Sequence, residues 1–221
     1  MKRILILTTI ALVLSGCTKT EEVKNTAVNA PPANTATKTQ ETSEPVKEET
    51  YTAGVSPRAD IISATQKLQK LSSWAAKISS ETTPEANAEM EYIAPDRYRI
   101  KKTDGEVIVI GGDSYENQNG KWTKLDDNIG AVINSQTKAG IAEAVKNLKD
   151  VQIVGKEKFN GKDTTVYSHK VGEATTKIWI ASDSGLQLKN EVEANIGGQM
   201  VKQTTVYDYD KKFKIEPPKI D

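Results

Sequence analysis

The chain has 221 residues, and its 30 Lys and Arg side chains balance its 30 Asp and Glu side chains to a formal net charge of zero at pH 7. Charges of both signs are interleaved, so no basic stripe is available to neutralise phosphates, and nucleic-acid binding is disfavoured. A single cysteine excludes an intramolecular disulfide, and one cysteine with one histidine cannot form a Cys/His metal cluster.

The amino-terminal segment has the parts of a secretory signal. Basic Lys2 and Arg3 precede an apolar run from Ile4 to Leu14, which is too short to span a bilayer as a helix. The Leu-Ser-Gly-Cys sequence that ends at Cys17 resembles a bacterial lipobox. This resemblance implies that residues 1–16 are a lipoprotein signal peptide and that Cys17 carries the lipid. The alternative is an ordinary secreted protein with a cysteine near its cleavage site.

Lipid on Cys17 would anchor the mature protein to a membrane of the cell envelope without spanning it. The next residue is Thr18, where the Gram-negative sorting pattern would use Asp for retention at the inner membrane. In a Gram-negative cell we therefore expect anchoring in the outer membrane, facing the periplasm.

The segment after the cysteine is poor in residues that form a core. Residues 17–56 are rich in Thr, Glu, Asn and Pro, with Tyr51 as their one aromatic residue. Such a segment cannot bury enough apolar surface to offset its ordering entropy, so it is predicted to be a disordered tether. Residues 57–215 then form one domain of normal size, followed by a tail at 216–221, and we expect a monomer.

The domain is predicted to begin with a helix. Ser56 is a good N-cap and Pro57 suits the first helical position. Apolar residues then recur at helical spacing, at Ile61, Ala64, Leu68 and Leu71.

From Trp74 the apolar period changes to two, which is typical of strands. Turn signals divide the rest into about eleven short strands, with a second helix at Gly140–Lys149 inserted after the sixth. Consecutive hairpins favour an antiparallel sheet, and so many twisted strands tend to curl. The predicted class is mainly β (α+β): a curved antiparallel half-barrel whose concave face is covered by the leading and inserted helices.

Four short motifs occur in order along the domain: Tyr92–Arg99, Gly120–Trp122, Phe159–Thr164, and Trp179-Ile180 followed by Ser184–Leu186. Together they resemble the LolA/LolB-like lipoprotein carrier superfamily, which includes LppX/LprG lipoproteins and the amino-terminal domain of RseB. The resemblance implies an eleven-stranded half-barrel with a helical insertion packed into its concave side.

An apolar concavity of this kind could bind a hydrophobic ligand. The candidate lining residues are Met90, Tyr92, Tyr98, Ile100, Ile178, Ile180, Leu186, Leu188 and Val192. The inserted helix is a candidate lid, through Ile141, Val145 and Leu148. The alternative is that these side chains simply fill a closed core.

No catalytic arrangement is visible in the sequence. The one histidine, His169, lies near a predicted strand end and is expected to be an exposed polar residue. A nucleophilic triad would need a base beside its nucleophile. We therefore predict no enzyme activity, no cofactor and no metal, and a polar loop rather than a cation site at Asp126-Asp127.

The sequence thus predicts a membrane-anchored lipoprotein that binds a lipid or an acylated protein. Because it carries its own anchor, it should act as an acceptor or a fixed holder rather than a free shuttle. One alternative is an RseB-like sensory or scaffolding module that acts through protein contacts, by its outer sheet face or the Asp126–Lys138 loop. A third possibility is a hydrolase of the envelope whose site is not visible.

Overall fold

The computed structural model describes residues 56–125, 141–142 and 145–220. The predicted signal peptide, Cys17, the tether up to residue 55 and the Asp126–Lys138 loop lie outside the described residues. Among the residues described, no helix is long and apolar enough to cross a bilayer.

The leading helix, α1, spans Pro57–Lys70. The Ser56 hydroxyl accepts a hydrogen bond from the backbone N–H of Ala59 at 3.2 Å, which satisfies one of the free donors of the first turn. Asp60 lies near the positive end of the helix dipole, and Lys67 lies in the last turn. The predicted helix is confirmed, and it ends two residues before the expected Ser72-Ser73.

Eleven strands follow, and every neighbouring pair is antiparallel. They are β1 (Ser73–Ser80), β2 (Ala88–Ile93), β3 (Arg97–Lys102), β4 (Gly105–Ile110), β5 (Asp113–Gln118), β6 (Lys121–Leu125), β7 (Lys149–Phe159), β8 (Lys162–Val171), β9 (Ala174–Ala181), β10 (Gln187–Ile196) and β11 (Gln199–Asp208). A short 3-10 turn, Pro84–Ala86, joins β1 to β2.

The strands form one sheet in the order β6-β5-β4-β3-β2-β1-β11-β10-β9-β8-β7. Strands β6 and β7 are the two edges, so the sheet is open and not closed into a barrel. Each half is a meander of hairpins, and the halves join where β1 pairs with β11. The predicted eleven-stranded antiparallel sheet is confirmed. Residues 141–142 and 145–146, between β6 and β7, are helical, where the inserted helix was expected.

The two faces of the sheet have different covers. We call the face that α1 contacts the helix face. Here α1 lies mainly over β7, β9 and β10. The opposite face is called the tail face, because residues 211–220 after β11 pack on it through Ile215. Along each strand, alternate side chains point to one face and then the other.

Two apolar clusters join α1 to the helix face. In one cluster, the buried residues are Ile61, Ala64, Leu148, Tyr167, Ile178 and Ile180. In the other, they are Leu68, Ala76 and Tyr207. The apolar stripe of α1 predicted from its spacing is therefore the stripe that packs on the sheet.

The segment after β11 is held on the tail face by both packing and hydrogen bonds. Ile215 is only 1% exposed and packs against Ile108. The Arg97 guanidinium donates to the Ile215 carbonyl at 3.0 Å, and that of Arg99 donates to the Lys214 carbonyl at 2.7 Å. This segment is therefore part of the folded domain.

A buried carboxylate anchors the same region. The Glu91 side chain is 9% exposed and lies 2.8 Å from the Arg99 guanidinium and 3.1 Å from the Lys211 ammonium. Arg99 also lies 3.3 Å from the Glu106 carboxylate. A buried charge needs such compensation, so Glu91 links β2 and β3 to the start of the tail.

We expect Ile215→Ala to lower the free energy of unfolding by about 3 kcal/mol, because it removes a buried side chain and leaves a cavity. The matched control is Ile220→Ala in the same tail, where the side chain is 49% exposed. That change should cost less than about 0.5 kcal/mol. Urea unfolding of both variants measures the difference, and equal losses would contradict the packing described.

Candidate ligand-binding face

The helix face carries a further apolar cluster on β2, β3 and β4, beside the part that α1 covers. Its members are Met90, Tyr98, Ile100 and Val109, each at most 6% exposed. Three of these, Met90, Tyr98 and Ile100, are among the predicted lining residues. They share a face because Met90 is paired with Ile100 and Tyr98 with Val109.

Aromatic rings run along one side of this cluster. The ring centroids of Trp74 and Tyr92 lie 5.4 Å apart, those of Tyr92 and Tyr98 5.0 Å, and those of Trp74 and Tyr207 5.8 Å. These distances fall within the range of favourable aromatic pairs. Burial raises the pKa of Tyr98 and of Tyr207 to about 12, so both phenols are neutral at physiological pH. The row is an uncharged, largely apolar surface with a few hydroxyl groups.

Ile178 and Ile180 lie in a different place from Met90 and Tyr98. They pack directly beneath α1, against Ile61. Both sets of predicted lining residues thus lie on one face, but Ile178 and Ile180 belong to the core between helix and sheet.

The remaining predicted lining residues are spread out. Leu186 lies in the turn before β10, outside the strands, and its backbone carbonyl accepts from the Ala181 N–H at 2.9 Å. Leu188 is buried beside a shift in register between Gln187 and Lys189. Val192 is half-buried in β10. Their role as lining residues stays a prediction.

The predicted lid residues lie beside the start of α1. Leu148 is buried in the cluster with Ile61, while Ile141 and Val145 are half-buried. The Arg58 guanidinium donates to the carbonyls of Leu148, at 2.5 Å, and of Val145, at 3.0 Å. These bonds tie the end of the β6–β7 insertion to α1, and its function as a lid stays a prediction.

Beside the residues under α1, the helix face also carries polar side chains. Across the sheet, His169 is paired with Thr176, Thr176 with Val192, and Val192 with Gln203. In the adjacent row toward α1, Asn190 is paired with Thr205. We call this set the polar band; its members are His169, Thr176, Asn190, Gln203 and Thr205. Each is less than 10% exposed.

The expectation that His169 is exposed is wrong: it is only 5% exposed. It shares the helix face with Tyr167 and Val171, because β8 pairs with β9 in an unbroken register. Burial lowers the pKa of His169 to about 4, so its imidazole is neutral at pH 7. Its Nδ1 has no hydrogen-bond partner, and neither has Oδ1 of Asn190.

Sequence reasoning missed the polar band. The available signal was a polar residue at an inward position of the alternation, such as Asn190 between Leu188 and Val192. Thr, Asn and His at such positions are usually assigned to solvent, and only the strand register shows that they adjoin one another.

The tail face has a groove of about 400 Å³ beside the β1–β11 pair. Its lining includes Lys77, Glu89, Asp208 and Lys211, with Ala75 at its base. Charges of both signs make this groove unlike an acyl-chain site. Within residues 56–125, 141–142 and 145–220, no group of three His, Cys, Asp or Glu side chains could hold a metal ion.

Residues 1–18 match the model of the prokaryotic membrane lipoprotein lipid attachment site. No curated protein matches this chain by sequence. Among solved structures, the lipoprotein LppX of Mycobacterium tuberculosis is similar, with a TM-score of 0.57 at 13% identity over 72% of this chain and 98% of LppX. The sheet has an LppX-like fold.

LprF of Mycobacterium bovis gives a TM-score of 0.55 at 11% identity, over 73% of this chain and 96% of LprF. The MucA/MucB complex of Pseudomonas aeruginosa gives 0.41 at 13% identity, over 71% of this chain and 58% of that chain. The LppX-like fold therefore rests on the two mycobacterial proteins, and it confirms the fold that the sequence motifs predicted.

The buried His169 makes stability depend on pH. Its folded pKa of about 4 lies below the usual 6.5, so the unfolded chain binds the proton first as the pH falls. Stability is then fully present above pH 6.5 and declines toward pH 4, by roughly 2 to 3 kcal/mol at pH 4.5. His169→Gln should lack this contribution. Urea unfolding of both proteins at pH 7.5 and pH 4.5 measures it, and identical losses would show that His169 is not buried as described.

Proposed function

We propose that this protein is a lipid-anchored envelope lipoprotein that holds a lipid or an acylated protein against its helix face, as a binding protein rather than an enzyme. The observation that carries the proposal is the open LppX-like sheet, whose helix face carries a buried apolar cluster on strands other than those that α1 mainly contacts. The attachment-site match at residues 1–18 supports the anchor.

The physical basis of binding is apolar burial. The cluster around Met90, Tyr98 and Ile100 lies on strands other than those mainly covered by α1. These three side chains are at most 6% exposed, so an acyl chain must replace the groups that now cover them. Burial of the chain itself would contribute about 25 cal/mol for each Å² of its apolar surface removed from water. The phenols of Tyr98 and Tyr207 are neutral, so these two rings add no charge to the cluster.

The anchor determines which role fits such a site. A protein held by lipid on Cys17 cannot diffuse freely between membranes. It suits an acceptor or a fixed holder, placed in the outer membrane and facing the periplasm if the cell is Gram-negative.

The chain's own methionines provide a test of ligand binding. A diazirine analogue of methionine, incorporated in growing cells, would replace Met90 on the helix face and Met200, which is 57% exposed in β11. On illumination we expect lipid adducts on the Met90 peptide and few on the Met200 peptide, because only Met90 adjoins the apolar surface. Mass spectrometry of the purified protein measures both.

Met200 is the internal control for contact with bulk membrane lipid. Equal lipid labelling at both positions would indicate nonspecific contact. Absence of lipid from Met90 would contradict the proposal.

We expect Cys17→Ala to release the protein from the membrane fraction, because it removes the one thiol that can carry the lipid. Cell fractionation and labelling with a clickable fatty acid measure the change. The control is the wild-type chain expressed at the same level. A Cys17→Ala protein that still sediments with membranes would argue against the anchor.

The edge of the sheet supports a second candidate function. Among the described residues β7 is an edge strand, and its Ile153 and Val154 side chains are 54% and 53% exposed. Exposed apolar residues on an edge strand are typical of surfaces that pair with another chain. A sensory or scaffolding module would use such contacts. Protein adducts from a photoreactive residue placed at Val154, without lipid adducts at Met90, would favour it.

A further inference from the structure

The polar band lies between apolar rows of the helix face. On one side, Tyr207 lies beside Ala76, Ala76 beside Met90, and Met90 beside Ile100. Asn190 and Thr205 lie in the next row with Ile178, and His169, Thr176 and Gln203 lie in the row beyond it with Val192. Apolar residues, among them Val171 and Ala194, follow on the other side of the band. The band is therefore a polar strip within an apolar face.

Two atoms of the polar band are buried without a partner, Nδ1 of His169 and Oδ1 of Asn190. The two residues are 5% and 7% exposed. Leaving such groups unpaired is unfavourable, and native proteins usually satisfy them. Both lie on the face where the proposed ligand binds, so hydrogen-bonding groups of that ligand can satisfy them.

The hydrogen-bonding groups of the polar band determine which chemical group of a ligand can bind there. An amide oxygen such as Oδ1 of Asn190 can only accept hydrogen bonds. A neutral imidazole has one donor and one acceptor, and Thr176 and Thr205 have hydroxyl groups. A hydroxyl group can donate and accept, and therefore fits all of these partners.

Charge excludes an anionic head group. The helix-face positions of β8 to β11 include no Lys, Arg, Asp or Glu. They are every second residue of 165–171, 174–180, 190–194 and 201–207. A carboxylate or phosphate buried there would have no cation from these positions of β8 to β11 to compensate it.

We infer that the polar band is a head-group subsite and that it takes an uncharged amphiphile whose head bears hydroxyl groups, such as a monoacylglycerol. This inference rests on the proposed function. The acyl chain would lie toward Met90, because Asn190 in β10 and Met90 in β2 are separated by three strand spacings, about 14 Å. That distance is within the length of a palmitoyl chain.

The test uses the full lipidated protein, carrying the diazirine methionine, in phosphatidylcholine vesicles. Three alkyne-tagged probes of equal chain length are compared: 1-monopalmitoylglycerol, methyl palmitate and palmitate. The first is uncharged and has two hydroxyl groups, the second has none, and the third is an anion. Adducts on the Met90 peptide are quantified by mass spectrometry.

We expect the half-saturating concentration of monopalmitoylglycerol to be roughly tenfold lower than that of either other probe, because only its hydroxyl groups can form hydrogen bonds with both His169 and Asn190. Asn190→Leu should abolish this preference and leave methyl palmitate binding unchanged or tighter. The smaller change Thr205→Val should reduce the preference, whereas Thr204→Val, on the tail face of the same strand, should not.

If Asn190→Leu does not fold, the comparison of Thr205→Val with Thr204→Val still tests the head-group subsite. Three results would overturn the head-group subsite: equal labelling by all three probes, preference for palmitate, or an Asn190→Leu protein that keeps the preference for monopalmitoylglycerol. In each of these cases, labelling at Met90 would still support ligand binding. Failure of every probe to label Met90 would instead overturn the proposed function itself.

Discussion

The constraint on which this structure depends is that a single open sheet has two faces and each must be covered. In the described residues, α1 covers part of one face, and the tail after β11 covers part of the other. Both covers are attached at the middle of the sheet, since α1 leads into β1 and the tail follows β11, its neighbour. The apolar cluster on β2 to β4 and the polar band on β8 to β11 lie on the helix face as well, and the residues that define them are less than 10% exposed.

The two faces use different kinds of interaction. On the helix face, packing of Ile61 and Leu68 against the sheet dominates. On the tail face, the buried Glu91 carboxylate holds two cations, while Ile215 fills the space over Ile108. Ion pairs of buried Glu91 thus stabilise the tail face, whereas the polar band of the helix face contains uncharged side chains, two of which have a buried atom without a hydrogen-bond partner. A ligand-binding surface would be expected on the second kind of face.

Much of the fold could be predicted from the sequence, because alternation and turn residues are local signals. Within one strand, alternation determines which residues share a face, such as Met90 with Tyr92 in β2 and Ile178 with Ile180 in β9. Which residues of different strands share a face depends on the register, which alternation does not give. The placement of Leu188 depends on a register shift, which no local pattern shows. The expectation that His169 is exposed was wrong because the burial of a polar residue in a strand depends on which other parts of the chain pack against it. For the same reason the site could be predicted only in its apolar part.

The pairing of β1 with β11 also determines when the domain can form. The six paired positions from Ala75 with Asp208 to Ser80 with Gln203 join residues separated by more than half of the chain. Such distant contacts slow folding, because a long loop must close before they form. Synthesis delivers β11 after the ten other strands of the sheet, so the seam stays open until all of them have been made. Each half of the sheet is a meander of neighbouring hairpins and can pair earlier, so the joining of the two halves is the late step in the formation of this domain.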